Sequence, residues 1–218
     1  MSTVTSNEVR PEQFNRRSFV YTRLVAAGAT FRDIGDAALA VEFPEPPPPL
    51  GLADLSPIAR IGVKGPRALS WLADQGWAVP AANNTALITD EGPINVRLAD
   101  TEALILGSAG SGKAIAELEG AIPGAGVWSA PRRDSHCWFR LQGDASVDCL
   151  QKLCGVDLRV HHFPAGTVAQ TSVARLNTIL IRDEGNAFHL LADSASAVWF
   201  WDALLDAMAE FDGAPVGA

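Results

Sequence analysis

An internal repeat is the feature that most constrains the fold of this chain. Residues 137–158 predict a short strand, Cys137–Leu141, followed by Gly143 and a helix with apolar residues at spacings of three and four. Residues 58–76 repeat that order with a strand, Gly65, a turn of small residues and a second amphipathic helix. The inward helix positions are Leu69, Leu72 and Ala73 in the first copy, and Val147, Leu150, Leu153 and Cys154 in the second. Four positions coincide in the two copies: Gly65 with Gly143, Val63 with Leu141, Leu69 with Val147, and Leu72 with Leu150.

The correspondence extends beyond the first helix of each copy. The later segments are residues 94–98, Ala103–Leu106 and a helix to about Ile122 in the first copy, and residues 171–182, Phe188–Leu191 and a helix to about Phe211 in the second. Each half is therefore predicted as strand, helix, two strands and helix. The predicted fold class is α+β, with two pseudo-symmetric halves that each have an antiparallel sheet covered by helices on one side.

The repeat also sets the predicted domain organisation. Residues 1–50 form an N-terminal arm, a helix and a proline-rich connector, residues 51–130 form the first half, and residues 131–218 form the second. Four consecutive prolines within residues 42–51 favour a polyproline II rod. Such a rod can be a ligand for an aromatic-lined groove or a stiff connector, and we prefer the connector.

Local signals place the remaining boundaries. Residues 1–14 are polar and aperiodic, which predicts a loose arm. Ser18 is predicted to cap a helix that ends at Gly28. Asp90–Pro93 predicts a turn between two strands, and the residues from Asp212 onward predict a tail of small residues.

Composition excludes several classes of protein. The net charge is −8 and the sequence has no basic block, which argues against nucleic-acid binding. Three cysteines without a CxxC pair fit a reducing cytoplasm better than a disulfide framework. No stretch reaches the roughly 20 apolar residues that span a membrane. Residues 15–20 resemble a twin-arginine export signal, but Arg23 interrupts the apolar region that such a signal needs, so we expect a cytoplasmic protein.

One segment resembles a phosphate-binding loop. Residues 107–113 fit the pattern G-x-x-x-x-G-K after a strand and before a helix, where backbone amides and a lysine could hold a phosphate. Ala114 follows the lysine, so the hydroxyl that would hold magnesium is missing. The second half has Ala197 and Val198 in place of the glycine and lysine. A strand-to-helix turn explains both copies, and a P-loop-like nucleotide binder is the weaker alternative.

The remaining polar candidates have structural interpretations. The adjacent pair His161–His162 has no further ligand at a suitable spacing, which favours an exposed turn over a metal site. His136 and Cys137 should project from opposite faces of a strand, which argues against a thiol–base pair. We predict that Arg175 and Arg182 lie on strands and pair with carboxylates. These residues assign no catalytic, cofactor-binding or metal-binding site to the chain.

The last helix carries more apolar surface than one core face requires. Its core-like positions at spacings of three and four are Val198, Trp201, Leu205 and Met208. Further apolar residues widen that face: Trp199, Phe200, Leu204 and Phe211. Because an excess of this kind is typical of a surface buried on another chain, Trp199, Phe200 and Phe211 are candidate partner contacts.

Several segments together resemble the gamma subunit of heterotetrameric sarcosine oxidase. The most specific are Phe163–Gly166 (FPAG), Ala169–Thr171 (AQT), Ala174–Arg175 (AR) and Phe200–Asp202 (FWD). The resemblance covers roughly residues 18 to 211. That family is similar in fold to the folate-binding aminomethyltransferase, or T-protein, of the glycine cleavage system.

The resemblance implies a cytoplasmic subunit that packs on the folate-domain-bearing alpha subunit of a flavoenzyme. The alpha and beta subunits of such a complex carry FAD, FMN and NAD, and a small delta subunit carries zinc. The complex oxidatively demethylates sarcosine or a related N-methyl amine, produces hydrogen peroxide, and uses tetrahydrofolate as one-carbon acceptor at the alpha subunit. No cofactor is expected in this chain itself.

One departure from the related transferases bears on catalysis. The active enzymes carry a GG-x-x-DD type strand with a catalytic aspartate, and the matching region here is Gly92–Arg97. It has no acidic pair, and Asn95 is the nearest polar residue. An amide cannot replace a carboxylate that steers a charged intermediate. The resemblance therefore favours a non-catalytic subunit, with a stand-alone folate-dependent aminomethyltransferase as the alternative.

Overall fold

The computed structural model describes residues 9–89 and 92–218. The helices are α1 (Tyr21–Ala26), α2 (Ala68–Asp74), α3 (Gly112–Gly120), α4 (Ser146–Gln151) and α5 (Ala197–Met208). The strands are β1 (Thr30–Asp33), β2 (Ala38–Glu42), β3 (Leu50–Asp54), β4 (Arg60–Lys64), β5 (Thr85–Leu87), β6 (Ile94–Ala99), β7 (Glu102–Leu106), β8 (Trp128–Ala130), β9 (His136–Gly143), β10 (Val168–Val173), β11 (Leu176–Arg182), β12 (Ala187–Asp193) and β13 (Gly213–Pro215). Short 3₁₀ turns lie at Pro11–Gln13, Ser194–Ser196 and Ala209–Phe211. The arm expected over residues 1–14 and the turn expected at Asp90–Pro93 lie partly outside the described residues.

The strands form two large sheets and one separate hairpin. The first-half sheet has the order β5-β6-β7-β4-β8, the second-half sheet has the order β10-β11-β12-β9-β3-β13, and β1 pairs with β2. The two orders coincide when β4 is matched with β9 and β7 with β12. The described pairings are antiparallel except for β13 beside β3. This topology confirms the predicted α+β fold of two pseudo-symmetric halves.

Two aligned glycines mark the same backbone position in each half. Gly65 and Gly143 have φ angles of 135° and 138°, a region that L side chains rarely adopt. A Cβ atom at Gly65 would collide with the carbonyl of Gly126, and one at Gly143 would collide with the carbonyl of Pro49. Each carbonyl lies just before a strand that enters the sheet beside the glycine. The repeat is therefore a repeat of backbone geometry as well as of residue type.

The halves exchange their first strands when the second half is counted from β8 instead of from the predicted boundary at residue 131. Strand β3 precedes β4 in the chain but pairs with β9 of the second half. Strand β8 precedes β9 but pairs with β4 of the first half. Each sheet is consequently completed by a strand from the other side of the repeat.

Three apolar clusters show how the layers are stacked. One cluster joins the second-half sheet to α1, α4 and α5, for example through Phe139, Leu150 and Trp201. Another joins the first-half sheet to α2 and α3. The third lies between the sheets and includes Leu104 and Trp138. The helices thus cover the outer faces, and the inner faces of the two sheets pack on each other.

Several local predictions need correction. Three strands, and not two, follow the first helix of each half, because residues 168–182 form the hairpin β10–β11 and residues 85–87 form β5. Ala73 is exposed, whereas Leu72 is buried as predicted and Ala68 is buried as well. The residues after Asp212 include a strand, β13, because their backbone pairs with β3. Residues 43–49, which contain the proline run, connect β2 to β3 without a regular element.

Candidate functional site

A cavity of about 370 Å³ between the two sheets is the candidate functional site. The first half lines it mainly with apolar side chains, including Leu55, Ile58 and Ile94. Among the residues that the structure describes, the ionisable side chains of the lining come from the second half: Arg140, Asp183, Glu184 and His189. The two sheets therefore contribute unequally to the cavity.

Neighbouring strands of the second-half sheet bring these polar groups together. Arg140 on β9 and His189 on β12 are register partners, and side-chain alternation places Trp138 on the same face. Asp183 follows the last residue of β11. The Nε and Nη2 atoms of Arg140 donate to Asp183 Oδ2 at 3.1 and 3.0 Å, and Nη1 donates to Gln142. Asp183 and Gln142 therefore fix the position of the Arg140 guanidinium together.

His189 is buried in this cluster and is 4% exposed. Trp138 Nε1 donates to His189 Nδ1 at 3.1 Å, so Nδ1 carries no proton. His189 Nε2 lies 3.3 Å from Asp183 Oδ2 without the alignment of a good hydrogen bond. Burial lowers the pKa of His189, although Asp183 opposes that shift. The imidazole is therefore neutral, with its proton on the nitrogen that faces Asp183.

Asp183 is ionised and already engaged. Burial alone would raise the pKa of its carboxyl, but His189 and Arg140 hold that pKa well below its ordinary value. A carboxylate that accepts from Arg140 and faces His189 has little capacity left to accept a proton from a reactant. The three side chains therefore form a self-contained ion-pair cluster that lines the cavity.

Strand β6, which the resemblance aligns with the aspartate-bearing strand of the transferases, presents no carboxylate to the cavity along Ile94–Ala99. Ile94 lines the cavity, whereas Asn95 alternates to the face that packs under the helices. Asn95 is buried, and its Oδ1 has no hydrogen-bond partner among the described residues. Ile94 thus occupies the cavity-facing position of β6, and Asp183 is already bound by Arg140.

A second polar cavity, of about 510 Å³, lies farther along the same face of the second-half sheet. Arg132 Nη1 lies 3.0 Å from His136 Nε2, and Ser135 Oγ lies 2.9 Å from His136 Nδ1. Burial and the neighbouring Arg132 lower the pKa of His136 to about 4. Arg132 also donates to Glu102 at 2.5 Å. These groups, too, are paired with one another.

The loop that resembles a phosphate site is closed on itself. Ser111 Oγ accepts from the Ser108 amide at 2.8 Å and donates to the Ser108 carbonyl at 2.9 Å. The Lys113 side chain is 89% exposed and lies 3.7 Å from Glu117 on the surface of α3. This geometry favours the strand-to-helix turn over a nucleotide site, because the lysine does not approach the loop amides.

The cysteines and histidines singled out in the sequence have structural environments. Cys137 is buried, its Sγ donates to the Ala192 carbonyl at 3.4 Å, and burial raises its pKa to about 12. Burial also raises the pKa of Cys149 to about 11. The exposed rings of His161 and His162 are in tilted contact, with centroids 4.3 Å apart and an interplanar angle of 50°. Among the described residues, no group of three or more His, Cys, Asp or Glu side chains could hold a metal ion.

Within residues 9–89 and 92–218, no carboxylate pairs with either predicted arginine, although Arg182 lies on β11 as expected. Arg182 is buried and donates to the Leu158 carbonyl at 2.7 Å, and its guanidinium carbon lies 5.0 Å from the Phe188 ring centroid. Arg175 lies in the β10–β11 turn, not on a strand. Ala174 and Arg175 have φ angles of 47° and 65°, which cost free energy in residues other than glycine.

The three predicted partner contacts in and after the last helix differ in their exposure. Phe200 is fully buried, with its ring centroid 5.8 Å from that of Phe139, so its prediction as a surface contact is wrong. Trp199 is 51% exposed and Phe211 is half-buried. The core face of α5 runs through Phe200, Trp201 and Leu204, which places Val198 in solvent instead of in the core.

The cavity cluster was not anticipated from the sequence. Arg140, Asp183 and His189 lie on different strands, so their proximity depends on sheet register. A single histidine inside the apolar strand β12 was the available signal, since a buried imidazole needs polar partners.

The chain matches one known domain family and two solved structures over most of its length. The GCVT N-terminal domain family matches residues 10–218. A chain of heterotetrameric sarcosine oxidase from Corynebacterium sp. U-96, solved with pyrrole 2-carboxylate, superposes with a TM-score of 0.71 and 22% identity, covering 93% of this chain and 99% of that one. Glycine cleavage system aminomethyltransferase T from Bartonella henselae superposes with a TM-score of 0.71 and 19% identity, covering 93% of this chain but 59% of that one.

These comparisons bear mainly on the fold. No curated protein gives a significant match to the sequence. Among the described residues, no helix is both long and apolar enough to cross a bilayer. The family match extends over nearly the whole described chain, and both structural relatives have the aminomethyltransferase-like fold. The chain belongs to the GCVT N-terminal domain family.

Proposed function

We propose that this chain is a gamma-type subunit of a heterotetrameric sarcosine oxidase-like flavoenzyme and has no active site of its own. The observation that carries the proposal is reciprocal coverage: the chain spans 99% of the matched sarcosine oxidase chain but only 59% of the aminomethyltransferase. Because the match covers nearly all of both chains, this chain and the sarcosine oxidase subunit are similar in size. A partial match to the transferase fits a shared fold without the rest of that enzyme.

The inter-sheet cavity supports a role without independent catalysis. Its ionised carboxylate, Asp183, is bound by Arg140 and faces His189. The cysteine thiols at Cys137 and Cys149 are held in their protonated form by burial. A fold can persist in a subunit whose reactive groups have been replaced or paired internally.

The proposed complex acts on sarcosine or a related N-methyl amine in the cytoplasm. Its alpha, beta and delta subunits would carry the FAD, FMN, NAD and zinc, and tetrahydrofolate would accept the one-carbon unit at the alpha subunit. This chain would pack on the folate-domain-bearing alpha subunit and contribute surface instead of chemistry.

Co-expression tests the proposal directly. The chain is produced alone and together with sarcosine oxidase-like alpha, beta and delta subunits, and each preparation is examined by affinity capture and size-exclusion chromatography. We expect capture of flavin-containing partners in fixed stoichiometry, and we expect demethylation of an N-methyl amine by the complex but not by the chain alone. A stable monomer that ignores those flavoproteins would contradict the proposal.

One observation favours a second candidate, a stand-alone folate-dependent aminomethyltransferase. Asp183 is ionised and lines a cavity, as a transferase carboxylate should. In that case tetrahydrofolate would bind to the isolated chain, and Asp183→Asn would abolish both binding and transfer. The two functions therefore make opposite predictions for the purified chain.

A further inference from the structure

The two exchanged strands have different outer neighbours. In the second-half sheet, β3 is covered on its far side by β13, whose residues Gly213–Pro215 pair with Leu50–Leu52. In the first-half sheet, the equivalent strand β8 is the last strand and has β4 on one side only. Within the described residues, the pseudo-symmetric position beside β8 is therefore open.

The open edge carries a large apolar side chain. Trp128, the first residue of β8, is 52% exposed and is the register partner of Lys64. Its ring packs beside Gly65, where a Cβ atom would lie 2.8 Å from the indole. Ser129, the next residue on the edge, is also exposed. An edge strand with an exposed tryptophan offers both backbone hydrogen bonds and an apolar contact to an added strand.

The side chains around this edge have surplus positive charge. Lys64 and Arg132 share one carboxylate, Glu102, at 3.2 and 2.5 Å. Arg67 donates to the Ala125 carbonyl just before β8. Arg133, just after β8, lies 3.5 Å from Asp36, a carboxylate that also binds Arg16 at 2.6 Å. Two carboxylates near this edge thus each face two cations: Glu102 faces Lys64 and Arg132, and Asp36 faces Arg16 and Arg133.

We propose that β8 is an interaction edge to which a partner subunit adds an extended, acidic segment, in the position that β13 occupies beside β3. The local charge favours an acidic segment over a second copy of this chain, since two copies would bring like charges together at β8. This inference rests on the proposed function, because the segment would come from a flavoprotein subunit. Beyond that function, the inference names β8 as the surface of this chain that binds the partner, and an acidic strand as the partner segment that binds there.

Three variants test the proposal. Trp128→Glu removes the apolar contact and places a negative charge opposite the acidic segment. Trp199→Glu tests the rival surface, because Trp199 on α5 is 51% exposed and is itself a predicted partner contact. Val160→Glu is the control, at an apolar side chain that is 63% exposed and lies on neither α5 nor β8. We expect Trp128→Glu to weaken binding to the co-expressed flavoprotein subunits at least about tenfold, as for a central interface tryptophan, and Val160→Glu to leave binding unchanged. Hydrogen exchange on the wild-type complex should show slower exchange at the amides of Trp128–Ala130.

The outcomes separate this inference from the proposed function. If the wild-type chain binds the flavoproteins, but Trp128→Glu binds equally well and the β8 amides stay unprotected, the inference is wrong and the proposed function stands. Loss of binding in Trp199→Glu alone would place the interface on α5 and also overturn it. If the wild-type chain binds no flavoprotein, both fail. Should Trp128→Glu fold poorly, protection of the β8 amides in the wild-type complex decides the question.

Discussion

The two halves share one backbone plan but present different side chains to the space between the sheets. Counting back from the aligned glycines, Arg140 of the second half corresponds to Gly62 of the first, where a Cβ atom would lie 2.5 Å from the Ala130 carbonyl. The exchanged strand therefore leaves no room for a side chain at Gly62, whereas the second half has room for an arginine. Positions that set the backbone are equivalent in the two halves, and positions that face the cavity have diverged.

Substitution of Gly65 or Gly143 should cause the largest loss of stability, and the two variants test whether the halves have equivalent backbones. Gly65→Ala and Gly143→Ala each force a side chain into a positive-φ position against a backbone carbonyl. We expect each to lower the free energy of unfolding by about 3 kcal/mol or to prevent folding. Chemical denaturation measures the loss. Gly155→Ala is the control, since a Cβ atom there meets nothing, and a neutral result at either of the two aligned glycines would break the proposed equivalence.

Removal of the cavity carboxylate should have the next largest effect. Asp183→Asn leaves the Arg140 guanidinium without its counter-charge, so we expect a loss of about 2 kcal/mol in the free energy of unfolding. Asp202→Asn removes a solvent-exposed pair with Arg23 and should cost much less. Urea denaturation measures both losses. Equal losses in the two variants would show that the Arg140–Asp183 pair stabilises the fold no more than an exposed ion pair does.

The pH dependence of stability should come from the second half. The pKa of His136 is lowered to about 4, below the ordinary value of about 6.5. The unfolded chain therefore takes up a proton first as the pH falls, and stability should decrease between about pH 6.5 and pH 4. The aligned residue of the first half is Ile58, which does not titrate. His136→Gln should reduce this slope in denaturation experiments, with His189 supplying part of the remainder because burial lowers its pKa as well, and an unchanged slope in His136→Gln would contradict the assignment.

The smallest effect on stability is expected at the turn between β7 and α3, whose glycine and lysine have no counterpart in the second half. Lys113→Ala removes an exposed pair with Glu117 and should change the free energy of unfolding by no more than about 0.5 kcal/mol. Titration of the wild-type chain with ATP should give no binding for the variant to lose. Nucleotide binding that disappears in Lys113→Ala would restore the phosphate-loop interpretation.

Local sequence patterns predict what is local in this fold. The glycine pair, the buried leucines Leu72 and Leu150 and the strand-helix order follow from spacing and residue type. The β10–β11 turn was missed because Ala174 and Arg175 are not residues that favour the left-handed region. A turn signal of the Asn-Gly type would have divided that run into two strands.

Non-local features could not be predicted in the same way. Strand β8 has three residues and gives no periodic signal, and its pairing with β4 joins segments that are far apart in the chain. The cavity cluster depends on the register of β9 with β12 and on the end of β11. Phe200 was misplaced because α5 is apolar on more than one face, so spacing alone does not fix its rotation.

Calorimetric titration of the purified wild-type chain with tetrahydrofolate tests the central claim most directly. A chain whose cavity carboxylate is bound by its own arginine should give no saturable heat at micromolar folate. One-to-one binding that Asp183→Asn abolishes would show that the cavity is a working transferase site, and the account of a subunit without its own chemistry would be wrong.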